Sequence, residues 1–225
     1  MPADKIVRIG AFASILSGVT WLLLTPFMAT IGICQGACLY WQSQPLIVRT
    51  LGRAVANQGW LSFAEPETLY FSYGRYFFLV YVFMMLGLFA LHRAHSQRVI
   101  QPHQLDRRAY IVLLSSLIIA AVGDFISYGI GVVSQAAWRG GFGLEAIAWL
   151  GIMLGAFLYG LVILRHQVFH PVIGLLLILV TVLLPVTFFD RSLIQYAPNA
   201  QLLPFAVVWP ILGMYLLFGK SRKSV

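Results

Sequence analysis

Six long apolar runs, separated by short polar stretches, set the pattern of this chain. They fall at about residues 6–33, 69–91, 110–135, 144–164, 172–189 and 202–218. At 1.5 Å of rise per residue, runs of these lengths suit helices crossing a hydrocarbon core about 30 Å thick. The pattern predicts an all-α fold, an integral membrane bundle of six transmembrane helices forming one membrane domain over residues 1–225. The first run is longer than the apolar region of a secretory signal, so it reads as an uncleaved first helix. Within it Gly10, Ser14 and Gly18 recur every four residues and make one smooth face; Gly151 and Gly155 do the same in the fourth run. Pro26, Pro185 and Pro210 are expected to bend their helices.

A different pattern occupies the longest connection, between about residues 40 and 67. From Pro45, the residues Ile47, Val48, Leu51, Ala54 and Val55 share one helical face, and Arg49, Arg53 and Asn57 the other. This predicts an extracytoplasmic amphipathic helix over about 45–58, lying in the membrane interface and flanked by Trp41, Trp60 and Phe63.

Composition agrees with a lipid solvent: 60% of the 225 residues are hydrophobic and 10% charged, against about 25% charged in a soluble domain. The net charge of +8 does not point to nucleic acid, because the basic residues sit at the ends of apolar runs and form no single patch. Their distribution orients the chain. Lys5, Arg8, Arg93, Arg98, Arg107, Arg108, Arg165, Lys220, Arg222 and Lys223 fall on the side of the termini. Arg49, Arg53, Arg139 and Arg191 fall opposite. The excess of positive charge predicts cytoplasmic N- and C-termini in a prokaryotic cytoplasmic (inner) membrane. Cys34 and Cys38, one helical turn apart, are poorly placed for a disulfide and read as small packing residues.

One carboxylate breaks the third run. Asp124, in Gly123-Asp124-Phe125-Ile126-Ser127-Tyr128, sits inside about twenty-five nearly apolar residues. Such a group costs roughly 2.5–3.5 kcal/mol on insertion scales, so it calls for a partner. Counting rise per residue places Asp124 about 21 Å along its helix and Arg75 about 9 Å into the second helix from the opposite end. Both depths lie in the outer leaflet, and an Arg75–Asp124 ion pair is expected. Ser127 and Tyr128 share the Asp124 face, Ser72 lies near Arg75, and Glu145 stands at the mouth of the fourth helix. Arg75, Asp124, Ser127, Tyr128, Ser72 and Glu145 therefore form a candidate outer-leaflet pocket for a small ligand or ion.

All five histidines fall on the opposite, cytoplasmic side: His92, His95, His103, His166 and His170. His92/His95 and His166/His170 have spacings that place two imidazoles on one helix face, which makes a metal site geometrically available, with Asp106 as the one nearby carboxylate. The pairs look like histidine boxes of membrane desaturases and hydroxylases, but the three-box pattern is missing and that family is not carried over. No histidine lies at mid-membrane, which argues against a haem held between helices. No GxSxG, HExxH or phosphate loop occurs, which leaves the cofactor unknown.

Three functions follow. The first is a non-enzymatic binding or assembly subunit of a membrane complex, contacting a protein partner or a second copy through the Gly10/Ser14/Gly18 and Gly151/Gly155 faces, with no nucleic acid. The second is a small permease or ion-coupled carrier using Asp124. The third is a histidine-dependent metalloenzyme acting on a lipid-soluble substrate.

Overall fold

The computed structural model describes residues 5–33, 71–99, 103–167, 169–189 and 203–218. Among them there is helix and no strand. The helices are α1 (Lys5–Ile33), α2 (Phe78–Ser96), α3 (Gln104–Asp124), α4 (Gln135–His166), α5 (Pro171–Phe189) and α6 (Leu203–Phe218). A π-helical segment, Phe125–Ile130, prolongs α3. The expected interfacial helix at 45–58 lies outside the described residues, as do Cys34, Cys38 and the basic tail.

Among the described residues, four helical stretches are long and apolar enough to cross a membrane: Lys5–Leu24, Phe71–Ser96, Gln104–Ile130 and Gln135–His166. Two shorter apolar helices accompany them, Pro171–Leu183 and Pro204–Phe218. Large apolar side chains remain exposed along them, among them Ile9, Phe12, Leu22, Leu23, Ile147, Leu150 and Leu154. Apolar groups facing both inward and outward are what a bundle solvated by lipid requires.

Two boundaries differ from the sequence pattern. The second helix does not run evenly from residue 69. Residues 71–74 form a helical turn, the chain turns through residues 75–77, and α2 starts at Phe78. Gly74 packs directly on the Tyr128 ring, so this turn is seated against the π-helical segment. The stretch Arg139-Gly140-Gly141, between the third and fourth apolar runs, lies inside α4 and not in a connection. The chain reverses earlier, at residues 131–134, where the Ser134 side chain accepts from Ala137 N–H at 3.2 Å and caps the helix. A polar N-cap satisfies a free helix amide, and the two glycines cannot compete with that.

Packing is arranged by close backbone contacts. Gly10 of α1 lies against Ala90 of α2, and Gly18 against Ala206 and Pro210 of α6. Gly155 of α4 lies on the Leu113 backbone of α3, and Gly151 on Ser116. The Gly10/Ser14/Gly18 and Gly151/Gly155 faces are thus filled by neighbouring helices of the same chain, not presented outward. Gly123 of α3 and Gly141 of α4 meet backbone to backbone, with the Glu145 amide beside them. The indole of Trp209 ties α6 to α2, donating to Met84 O at 3.0 Å. The outcome is α3 pressed between α2 and α4, with α1 and α6 against the far side of α2 and α5 against α4.

Candidate functional site

Three helix ends meet at one pole of the bundle. The last turn of α2 carries His95, the first turn of α3 carries Asp106, and the last residue of α4 is His166. One ligand atom from each of these residues lies within 4.8 Å of the other two. His166 Nε2 stands 2.9 Å from Asp106 Oδ2 and 3.2 Å from Oδ1. His95 Nε2 stands 3.7 Å from Asp106 Oδ2.

Local sequence explains why the carboxylate is so well held. His103 precedes α3 in an extended conformation, and its ring Nδ1 accepts the Leu105 N–H at 3.2 Å. Asp106 in return accepts the His103 backbone N–H at 3.1 Å. This reciprocal cap satisfies amides that a helix start leaves free, and it turns Asp106 into the bundle, where it is 3% exposed.

His95 is buried at 1% exposure, and neither ring nitrogen has a hydrogen-bond partner among the described residues. Its ring is enclosed by Tyr159 at 6.1 Å, His166 at 5.3 Å and Phe169 at 6.1 Å between centroids. Arg98 closes the outer side over the Phe169 ring. His92, one turn earlier, is held differently. It stacks on Tyr110 at 3.9 Å and its Nδ1 lies 3.2 Å from the Tyr159 hydroxyl. An open cavity of about 460 Å³ adjoins the cluster, lined by His92, His95, Ser96, Val99, Asp106, Arg107, Tyr110 and Ile111.

Of the five histidines, then, His95 and His166 converge on Asp106, and His92 stands behind them. His103 and His170 do not join. His103 is occupied as the cap of α3. His170 is exposed before α5, with its Nδ1 facing the Val172 N–H and its own N–H donated to the Tyr215 hydroxyl. The proline at 171 starts a new helix, so His166 and His170 share no helix face.

The expected outer-leaflet group divides in the same way. Asp124 and Glu145 are both buried, at 0% and 1% exposure. Arg75 is exposed and directs its guanidinium to Phe71 O at 3.5 Å, and it makes no ion pair with Asp124. The pairing expected from helix depth fails because the turn at 75–77 carries Arg75 outward. Depth along an axis does not determine the angle around it. Ser127 is buried and donates to Trp138 O at 3.3 Å. Tyr128 is buried over Gly74 and against Phe71. Ser72 is half-buried in the preceding turn.

Glu145 has a partner that sequence spacing does not reveal. Tyr81 of α2 donates its hydroxyl to Glu145 Oε1 at 2.6 Å, and Trp149 of α4 donates Nε1–H to the Tyr81 oxygen at 2.9 Å. The i,i+4 spacing puts Glu145 and Trp149 on one face of α4, and no sequence signal points to Tyr81.

By architecture the chain is an all-helical protein with helices apolar and long enough for a membrane. No family model, curated protein or solved structure matches it.

Proposed function

We propose that this is an integral membrane metalloprotein that holds one divalent transition-metal ion between His95, Asp106 and His166. The observation that carries the reading is the convergence of three ligand atoms from three separate helices within 4.8 Å. In a tetrahedral site, two atoms each about 2.0–2.1 Å from the ion stand about 3.3–3.4 Å apart. The two histidine nitrogens stand 2.9 and 3.7 Å from Asp106 Oδ2, values that bracket that spacing. The donor set of two imidazoles and one carboxylate suits zinc, iron or manganese. The buried, unpartnered ring nitrogens of His95 give the ion a role that the protein alone leaves unfilled.

Three protein ligands leave a coordination position free, and the adjoining cavity is lined by two of the three. That supports the metalloenzyme reading over an assembly subunit. A divalent ion held there would polarise a water or a substrate oxygen. Around it, Asp106 is fixed by the cap from His103, and His92 and Tyr110 form a flat wall. Arg107 is the cation at the mouth, and Val99 and Ile111 offer an apolar approach. This arrangement suits a small amphipathic substrate arriving from the bilayer surface. The positive-charge excess on the same side supports a cytoplasmic position for the site.

The test is elemental analysis of the purified full chain. The expected result is one equivalent of zinc, iron or manganese, lost in His95→Ala and in His166→Ala but retained in His170→Ala. Absence of any stoichiometric metal from the wild-type protein, or its retention in both ligand variants, overturns the reading.

A further inference from the structure

The second polar cluster lies far from the histidines. Asp124 follows Asp106 by eighteen residues on the same helix, so the two are about 27 Å apart along its axis at 1.5 Å per residue. The Asp124 carboxylate is fully enclosed between α2, α3 and α4. The described residues supply neither of its oxygens with a hydrogen bond of good geometry. A backbone N–H that acts on it is that of Phe78, the first residue of α2. That amide lies at the positive end of the helix dipole, which favours negative charge nearby only modestly. It is one weak donor for a group whose burial is costly.

Glu145 is the neighbouring carboxyl. The α3–α4 contact at Gly123 and Gly141 brings the Glu145 backbone against residue 123, directly beside Asp124 in the chain. Glu145 has a single strong donor, the Tyr81 hydroxyl, whose oxygen in turn takes the Trp149 N–H. The charged and titratable groups facing the pair are therefore Tyr81 from α2, Asp124 itself from α3 and Glu145 from α4. No lysine, arginine or histidine among the described residues makes an ion pair with either acid. The nearest candidate by sequence, Arg75, is turned outward.

Two carboxylates at this depth with one full donor between them leave negative charge uncompensated. In a low-dielectric interior such a pair is stable only if something positive joins it. We infer that Asp124 and Glu145 together bind a single monovalent cation, a proton or a sodium ion, enclosed at the end of the bundle opposite the histidines. Either ion supplies the missing unit of positive charge. A proton neutralises one of the two carboxyls. For sodium, the two unpartnered oxygens of Asp124 are the ligands at hand. The wide π-helical turn that begins directly after Asp124 is a local departure from regular helix of the kind that recurs at functional sites. Ser127 and Tyr128 lie within that segment and are both buried.

The experiment is infrared spectroscopy of the full chain in lipid nanodiscs, with and without sodium, across neutral pH. Wild type, Asp124→Asn, Glu145→Gln and the double variant are compared. The expected result is a carboxyl signal that is lost in the double variant. If sodium replaces a protonated carboxyl stretch by ionised-carboxylate bands, sodium is the occupant. If the protonated stretch is insensitive to sodium and responds to pH, the occupant is the proton. Wild-type spectra that match the double variant under all these conditions overturn the proposal.

Should the variants fail to fold, labelling of the wild-type protein with a hydrophobic carbodiimide decides the matter. A mapped adduct on Asp124 or Glu145 that rising pH or added sodium prevents supports the site. No such adduct overturns it. Neither measurement depends on metal at His95, Asp106 and His166.

Discussion

His166 Nε2 lies 2.9 Å from Asp106 Oδ2, joining the last residue of α4 to the first turn of α3. One carboxylate thereby serves a helix cap and an inter-helix tie at once, and belongs to the proposed ligand set. Asp106→Asn keeps the shape and the acceptor for the His103 amide but removes the negative charge. Metal content is expected to fall sharply, and thermal stability in detergent to drop on the order of 1–3 kcal/mol, the range for a lost hydrogen bond to a charged group. Parallel elemental analysis and thermal unfolding check both.

His103 separates a cap from a ligand. Its ring accepts the Leu105 N–H, a role that asparagine or serine side chains also fill. His103→Ala is expected to destabilise the chain by about 1 kcal/mol, while His103→Asn restores most of this. Bound metal is unchanged in both. A loss of metal in His103→Asn would make the residue a ligand.

Tyr81→Phe removes the hydroxyl that donates to Glu145 Oε1 and accepts from Trp149 Nε1–H. Leaving a buried carboxyl without its donor is expected to cost about 1–3 kcal/mol. Thermal unfolding followed by tryptophan fluorescence reads the stability. The same spectrum reports a changed Trp149 environment, since that side chain is 3% exposed.

The glycines divide by position. A methyl group on Gly123 would press on the Gly141 carbonyl and the Glu145 amide, both backbone atoms that cannot move aside. Gly123→Ala is expected to destabilise by about 1–3 kcal/mol. Gly140, in the same helix as Gly141, has nothing within 4 Å of the added carbon. Gly140→Ala is expected to be neutral or to stabilise by up to about 1 kcal/mol through helix propensity. Unfolding midpoints of the two variants test the contrast directly.

Arg75 is exposed and hydrogen-bonds only locally, to Phe71 O. Arg75→Gln is expected to change stability by less than about 0.5 kcal/mol, as for an ordinary surface substitution. The swap of Arg75→Asp with Asp124→Arg is expected to be no better than Asp124→Arg alone, because the residue at 75 is turned outward and does not reach position 124. Rescue by the swap would restore the ion pair expected from helix depth.

The sequence by itself determined the all-helical character and the apolar helices, because a run of apolar residues long enough to cross lipid satisfies its backbone only as a helix. It also singled out Asp124 as a costly group and brought the five histidines and Asp106 to one side, since these follow from composition and order along the chain. Which of those residues touch is an angular matter, and helix rotation and crossing are set by close contacts such as Gly10 on Ala90 and Gly123 on Gly141. Only the tertiary structure turned Arg75 outward, put Tyr81 on Glu145, and selected His95 and His166 while leaving His103 and His170 as caps. A carboxylate announces in sequence that it needs a partner. Its partner is chosen by which helix faces lie within about 3 Å of it, and that is decided by packing.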